Sequence, residues 1–366
     1  MSEIGALYRK VDLHIHTPAS TCYSDRTVTP VQIVSEALGK GLDAIAITDH
    51  NDIASIEPIR QVAKEVGLVV FPGIEISTKD AHLLALFEPD YPIEKLEEFL
   101  PVIEILREDR GKKEAMAASF EKVLVKIKEF GGIAIAAHAN SDNGILDSAK
   151  RLRYKQEVCR NNDLCALELS REDHIRNFTA GKVPNYPAKA CVCGSDAHSL
   201  AEIGQRYTYI KMDQITLNGI KHALSDYLIK VKFPWDSAIP SYPKIQSLTV
   251  NQGFFKDIIF NFHPNLTCLV GGTGAGKSTV IEFLRYCFND ISSFEEISDD
   301  THGKVMKLVG EGGKITVKYF TDTGEEVTIT REVNDPAFEE PDISIADQSG
   351  HEAALINKPI FLAKVK

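Results

Sequence analysis

Several absences narrow this sequence before any motif is considered. Basic excess is missing: 41 Lys and Arg stand against 52 Asp and Glu, a net charge of -11, so no overall cationic footprint marks the chain for polyanions. A phosphate group must then be met by a local cluster or by bound cations. No apolar run approaches the roughly 20 residues that span a bilayer, and residues 1–5 have neither the basic nor the apolar region of a secretory signal. The expected location is the cytoplasm, with no membrane partner. The seven cysteines fit no disulfide framework and are read as reduced thiols. Cys191 and Cys193 alternate on an apolar stretch, where packing is preferred over metal binding.

What is present is enough for two domains: 366 residues, 43% of them hydrophobic and 25% charged. Apolar runs of strand length occur at 11–15, 44–48, 68–76, 82–87, 133–137, 166–169 and 190–194. Helical periodicity fills most of the gaps, at 30–40, 57–66, 93–106 and 119–130, and a last helix is expected over 216–228. Alternation of this kind predicts a parallel sheet, open or closed into a barrel. Prolines at 234, 240 and 243 mark a linker, dividing the chain into 1–235, a linker at 236–243, and 244–366. In the last part, strands are expected at 245–250, 257–262 and 266–270, and a helix over 277–288. A hairpin at 314–322 and 325–332 turns at Thr323-Gly324, and the acidic stretch 294–300 reads as a mobile loop.

Five short segments carry the chemistry. Asp12-Leu13-His14-Ile15-His16 places two imidazoles two residues apart at a strand end, on one face and able to grip one ion. Thr48-Asp49-His50, Gly73-Ile74-Glu75 with His82, Ala136-Ala137-His138, and Gly194-Ser195-Asp196-Ala197-His198 follow. A lone histidine at a strand end is more often a hydrogen-bonded structural residue than a ligand. Here most of the groups fall at or just beyond strand carboxyl ends, which in a parallel barrel converge on one face. Imidazole mixed with carboxylate suits Zn, Mn or Fe. Glu168 ends one of the strands, where support of a ligand and simple packing are both open. His174, His222, His263, His302 and His351 fit no motif and take structural readings.

These segments resemble the polymerase and histidinol phosphatase (PHP) family of metal-dependent phosphoesterases. The resemblance covers about residues 8–235 through H-x-H, T-D-H, G-x-E and S-D-A-H in family order, followed by Gly204 and Arg206. It implies a distorted (β/α)7 barrel holding two or three divalent ions. His14, His16, Glu75 and Asp196 would hold the first, and Glu75 would bridge to a second on His82 and His138. A third would lie on His50 and His198. Family members complete that position with a histidine or an aspartate; Ser24-Asp25-Arg26-Thr27 resembles the aspartate form, so Asp25 is expected there, while Cys22 occupies the histidine's place. His14, His16, Glu75, Asp196 and His198 form the implied catalytic set. Ions so placed would polarise phosphoryl oxygens, acidify a water and stabilise the leaving oxygen, so no protein nucleophile is required.

Gly271-Gly272-Thr273-Gly274-Ala275-Gly276-Lys277-Ser278 fits G-x-x-x-x-G-K-[ST] between an expected strand and a helix. Gly271, Gly274 and Gly276 shape the loop, Lys277 would reach the terminal phosphates of ATP, and Ser278 with Thr279 would meet Mg. Residues 244–335 resemble the amino-terminal lobe of ABC-type, SMC-like ATPases, which implies a partial P-loop lobe and dimerisation through it. No signature motif and no apolar strand ending in Asp-Glu follows, and Gln348 is a faint glutamine-loop candidate. ATP hydrolysis by this chain is therefore not expected, and the chain reads as the front of a longer protein.

The leading expectation is a phosphoesterase of nucleic acid or nucleotides, an exonuclease, regulated by the nucleotide-binding lobe. The nucleic-acid part rests on the resemblance. An open groove beside the basic run 150–155 would favour oligonucleotides. A deep closed pocket would favour a phosphatase of nucleotide bisphosphates or sugar phosphates. A third class is an ATP-dependent sensing module with a structural metal site.

Overall fold

The apolar runs between residues 11 and 194 fall in strands of one nine-stranded sheet. In the computed structural model the described residues are 6–141, 144–147, 150–236, 243–264, 266–288, 295–321, 325–333, 342–346 and 352–353. The chain separates into two compact units, Gly5–Asp236 and a second that begins at Ser237.

In the first unit the elements run β1 (Leu7–Ile15), α1 (Pro30–Gly39), β2 (Ala44–Ile47), α2 (Ile56–Val66), β3 (Val69–Ser77), β4 (His82–Leu86), α3 (Ile93–Val102), α4 (Phe120–Glu129), β5 (Ile133–Ala136), α5 (Leu152–Arg160), β6 (Leu164–Glu168), α6 (Glu172–Thr179), β7 (Cys191–Val192), β8 (Thr208–Met212), α7 (Leu217–Ser225), α8 (Tyr227–Lys230) and β9 (Val231–Lys232). The nine strands form one sheet in the order β7-β6-β5-β4-β3-β2-β1-β8-β9. An isolated parallel bridge from Ile15 to Ala197 brings the chain after β7 back to the end of β1, so the ring of strands nearly closes at that end. Helix α1 starts where the sequence dictates: Thr29 and Gln32 form a reciprocal capping box, with Pro30 in the first turn.

The sheet is mixed, which corrects the all-parallel expectation. β1–β2, β2–β3, β5–β6 and β6–β7 pair in parallel, whereas β4 is antiparallel to β3 and β5, and β8 to β1 and β9. The physical reason is the short connection between Ser77 and His82, since a parallel crossover needs a dozen residues or more. β8 and β9, and helices α5 and α6, were not expected. The helix expected over 93–106 stops at Val102: Pro101 lies in its last turn, and Glu104 takes a left-handed φ of 70°.

In the second unit β10 (Lys244–Val250), β11 (Ile259–Asn261), α9 (Lys277–Phe288), α10 (Glu295–Val309), β12 (Lys314–Phe320), β13 (Glu326–Glu332), β14 (Asp342–Ala346) and β15 (Glu352–Ala353) follow. All its strand pairings are antiparallel, in the order β11-β10-β12-β13-β14-β15. Val280, Phe283 and Tyr286 of α9 pack with Leu248, Val317 and Ile329 to make a separate core. Two expectations fail here. Residues 266–270 form no strand: Leu266 and Val270 are exposed, and no strand among the described residues pairs with them. The stretch read as a mobile loop begins α10 at Glu295. Thr323-Gly324, Gln348, His351 and residues 237–242 of the linker lie outside the described residues. Among the described residues no helix is long and apolar enough to cross a membrane.

Candidate metal centre

Strand ends supply the site. On β1 the alternation that buries Leu13 and Ile15 on one side sends Asp12, His14 and His16 to the other. Asp12 accepts the backbone N–H groups of Ser195 at 3.0 Å and Gly204 at 2.9 Å, tying the last motif to the first. Burial pushes its carboxyl up to about 6, against the pull of those hydrogen bonds. Asp49, after β2, braces the chain beyond β1. It accepts from Thr17 N at 2.8 Å, Thr17 Oγ1 at 2.6 Å and Ser20 Oγ at 2.6 Å.

Glu75 is fully buried at the centre. Its Oε1 receives His82 Nδ1 at 2.8 Å and His138 Nε2 at 2.9 Å, while Oε2 lies 3.0 Å from His50 Nδ1, 3.1 Å from His16 Nε2 and 3.4 Å from His14 Nε2. Burial opposes ionisation of this carboxyl, but His14, His50 and His138 hold it well below the usual carboxylate range. Asp196 Oδ1 lies 3.3 Å from both His14 Nε2 and His16 Nε2, and those two nitrogens are 3.2 Å apart. His198 stacks on His16 with centroids 4.2 Å apart, and its Nδ1 donates to Asp196 O at 2.9 Å. Three non-glycine residues here have left-handed backbones: Asn51 (φ 52°), His138 (φ 28°) and Asp196 (φ 53°). Strain of this kind persists where the surroundings over-determine it.

The donors fit cations. Ligand atoms at about 2.0–2.1 Å from a tetrahedral ion stand about 3.4 Å from one another. The contacts among His14, His16, Glu75 and Asp196 run from 3.1 to 3.4 Å. Two nitrogens and two carboxylate oxygens facing each other at that spacing match the edges of such a shell. Glu75 Oε2 and His50 Nδ1 are also buried without a well-aligned hydrogen-bond partner. Among the described residues, three groups of potential ligands fall within 4.8 Å: His14, His16, Glu75 and Asp196; His50, Glu75 and His82; and His16, His50 and His198.

Eight of the nine residues expected at the metals are thus gathered around Glu75. Asp25 is not among them. Its exposed carboxylate accepts from its own turn, Thr27 N at 2.9 Å and Thr27 Oγ1 at 2.7 Å, and belongs to none of the three groups. Cys22 is half-buried and likewise outside them, its thiol pushed up by burial. His16 groups with His50 and His198. Sequence reasoning missed the braces Asp12, Ser20, Asp49 and Asn51, although Asp12 and Asp49 lie inside the quoted motifs. Glu168 proves to be a support: its Oε2 accepts from His14 Nδ1 and from His138 N, each at 2.8 Å.

Beside the cluster lies a cavity of about 330 Å³ reached by His138, Glu168, Asp196 and Arg206. The Arg206 guanidinium is anchored on the carbonyls of Gly194 and Ser195 and pairs with no carboxylate among the described residues. In the basic run 150–155, Lys150 pairs with Asp147, Arg153 with Glu157, and Lys155 donates to Asp147 O.

Comparison with known proteins agrees with this geometry. The PHP domain family model matches residues 12–171, and a PHP-associated model matches 174–225. An AAA domain model matches 250–349. An uncharacterised protein of Methanocaldococcus jannaschii is 34% identical over 139 residues, covering 36% of this chain and 68% of that protein. A 5′-3′ exoribonuclease of Haemophilus influenzae is 36% identical over 108 residues, 28% of this chain and 37% of the enzyme. A phosphoribosyl 1,2-cyclic phosphate 1,2-diphosphodiesterase of Eggerthella lenta is 31% identical over 81 residues, 20% of this chain and 29% of that enzyme. The likeness to both enzymes therefore spans well under half of their length. A solved two-domain protein of Bacteroides vulgatus, described as containing a PHP-like metal-dependent phosphoesterase, overlays with a TM-score of 0.46 at 20% identity, covering 64% of this chain and 66% of that one. With two PHP models matching across residues 12–225, an archaeal relative covered over 68% of its length and a strand-end cluster of potential cation ligands, the chain belongs to the PHP family of metal-dependent phosphoesterases.

Proposed function

We propose that this PHP site hydrolyses phosphate esters of nucleic acid or nucleotides, as an exonuclease, and that the second unit binds ATP and regulates it. The observation that carries the chemistry is the doubly shared Glu75, whose two oxygens face different sets of imidazoles. His14, His16, Glu75 and Asp196 would hold one ion, Glu75 with His50, His82 and His138 a second, and His16, His50 and His198 offer a third position. Arg206, which pairs with no carboxylate among the described residues, supplies positive charge for a phosphate oxygen in the adjoining cavity. His198, the most exposed imidazole of the set, is placed to pass a proton to solvent. The exoribonuclease relative supports nucleic acid as the substrate class.

The regulatory part rests on the glycine-rich loop, which opens α9 as a phosphate cradle does, and on the AAA match. Lys277 Nζ now donates to Gly271 O and Gly272 O, each at 2.7 Å, and would exchange those carbonyls for phosphate oxygens. A second reading, a phosphatase of small phosphate esters, is favoured by the modest cavity and by the cyclic phosphodiesterase relative. The deciding experiment incubates the protein and Mn²⁺ with end-labelled oligonucleotides and with a nucleoside bisphosphate, beside His14→Ala. Stepwise shortening of the oligonucleotide, absent in the variant, is expected; cleavage of the bisphosphate alone selects the second reading. Equal activity of wild type and variant on every ester would exclude both.

A further inference from the structure

A second cavity, of about 380 Å³, lies against the one at the metal cluster, and Asn140 lines both. Its volume falls in the roughly 300–1,000 Å³ range of small-ligand sites. Its walls differ from those of its neighbour. Phe178 and Tyr186 meet edge to face with centroids 5.6 Å apart, and Asn177, His174 and Lys182 complete the polar part. No carboxylate lines it among the described residues. His174, which fits no motif, is held by Asn140 Nδ2 at 3.3 Å from its Nδ1, two residues along from His138. A wall of aromatic carbon, two amides able to donate and accept, an imidazole and one lysine suits a planar, polar-edged group attached to an anion.

We propose that this cavity receives the nucleobase of the nucleoside next to the scissile phosphate, with Tyr186 against the base face and Asn140 and His174 at its edge. The proposal rests on the nucleotide reading above and makes it more specific: the substrate is a nucleotide ester recognised through its base. Asn140 joins the two sites, so a phosphate beside His138 and Arg206 leaves its nucleoside at the mouth of the second cavity. Neither Tyr186 nor His174 belongs to the metal cluster.

The test compares a 5′-phosphorylated dinucleotide with its abasic counterpart, which keeps the sugars and phosphates. Loss of one stacking contact corresponds to roughly a 5- to 150-fold weakening. Wild type is expected to show a KM for the dinucleotide at least about tenfold below that for the abasic ester. Tyr186→Ala and His174→Ala should each erase much of that preference while leaving abasic turnover unchanged. Because Tyr186 is half-buried, His174→Ala keeps the test valid if the other variant folds poorly. Equal KM values for the two esters in wild type, or parallel losses on both in His174→Ala, would overturn the proposal. If wild type hydrolyses neither ester, the nucleotide-hydrolase reading fails, and the cavity is then judged separately. Saturation-transfer NMR with adenosine 5′-monophosphate on EDTA-treated protein should show base protons in contact in wild type and not in His174→Ala; no contact in wild type refutes the cavity assignment.

Discussion

Glu168 holds His14 by its back: the carboxylate Oε2 takes the Nδ1 hydrogen at 2.8 Å and thereby turns Nε2 toward Glu75 and Asp196. The same oxygen takes His138 N at 2.8 Å, so one side chain orients two of the proposed ligands. Partners of this type fix the tautomer of a ligating imidazole, and their loss typically costs about 10- to 100-fold in metal affinity. Glu168→Gln should fall in that range when Mn²⁺ or Zn²⁺ binding is titrated, with the fold retained by circular dichroism. Undiminished affinity would mean that Glu168 only packs.

Gly194 explains how Glu168 gets so close. A Cβ built there would stand 2.3 Å from Glu168 Oε1 and 2.9 Å from His14 Cβ. Gly194→Ala must push the carboxylate off both of its hydrogen bonds or move the strand. Overpacking of this kind costs about 1–3 kcal/mol. Expected are a lower urea midpoint and weakened metal binding together. An unchanged midpoint with full metal affinity would show that the close approach is not needed.

Proton linkage gives a third test. In the metal-free protein burial opposes protonation of His14 and His16. At His14 the carboxylates of Glu168, Asp196 and Glu75 override it and hold the imidazole well above its ordinary value. At His16, hydrogen bonds to Asp196 and Glu75 lift it to about 9. A folded-state value above the unfolded one of about 6.5 gives stability that is complete below that pH and is lost as pH rises through 9. The urea midpoint of EDTA-treated protein should therefore fall between pH 6.5 and 9.5. Cation binding needs the same lone pairs, so calorimetry at pH 7.5 in buffers of different ionisation enthalpy should report release of about one or two protons. Heats independent of buffer would contradict this protonation pattern.

The sequence disclosed the site better than the sheet around it. Eight of nine expected ligand residues converge because most lie at or just past the carboxyl end of an apolar run, while His82 opens β4, whose antiparallel direction brings that end to the same face; continuous apolar runs such as Ile133–Ala136 make their strands plain. Asp25 lies apart from that cluster because a turn rich in Thr and Ser satisfies an aspartate locally, which a motif read as a pattern does not show. The direction of β4 was legible in the short Ser77–His82 connection, had the length been weighed. β8 alternates, with Thr208, Ile210 and Met212 buried, a weaker signal than a continuous apolar run. Residues 266–270 show the opposite failure: local composition favours a strand, but strand pairing is not local, and no ladder among the described residues receives them.

The glycine-rich loop yields the last prediction. Lys277 occupies its own loop's carbonyls, and Gly276, at φ 85°, admits no side chain because a Cβ would lie 2.4 Å from Phe255 Cζ. If the loop binds ATP with Mg²⁺, removing the ammonium deletes a charge-assisted contact worth roughly 1.5–3 kcal/mol, or about 10- to 150-fold in affinity. Lys277→Ala should weaken binding of a fluorescent ATP analogue by that factor, and Gly276→Val should abolish it through distortion of the loop. Neither residue belongs to the metal cluster, so Mn²⁺-dependent hydrolysis measured without nucleotide should match wild type, while any response of that hydrolysis to added ATP should disappear. Wild-type protein that binds no ATP analogue would remove the regulatory role of the second unit, and a response to ATP that survives Lys277→Ala would place the nucleotide somewhere other than this loop.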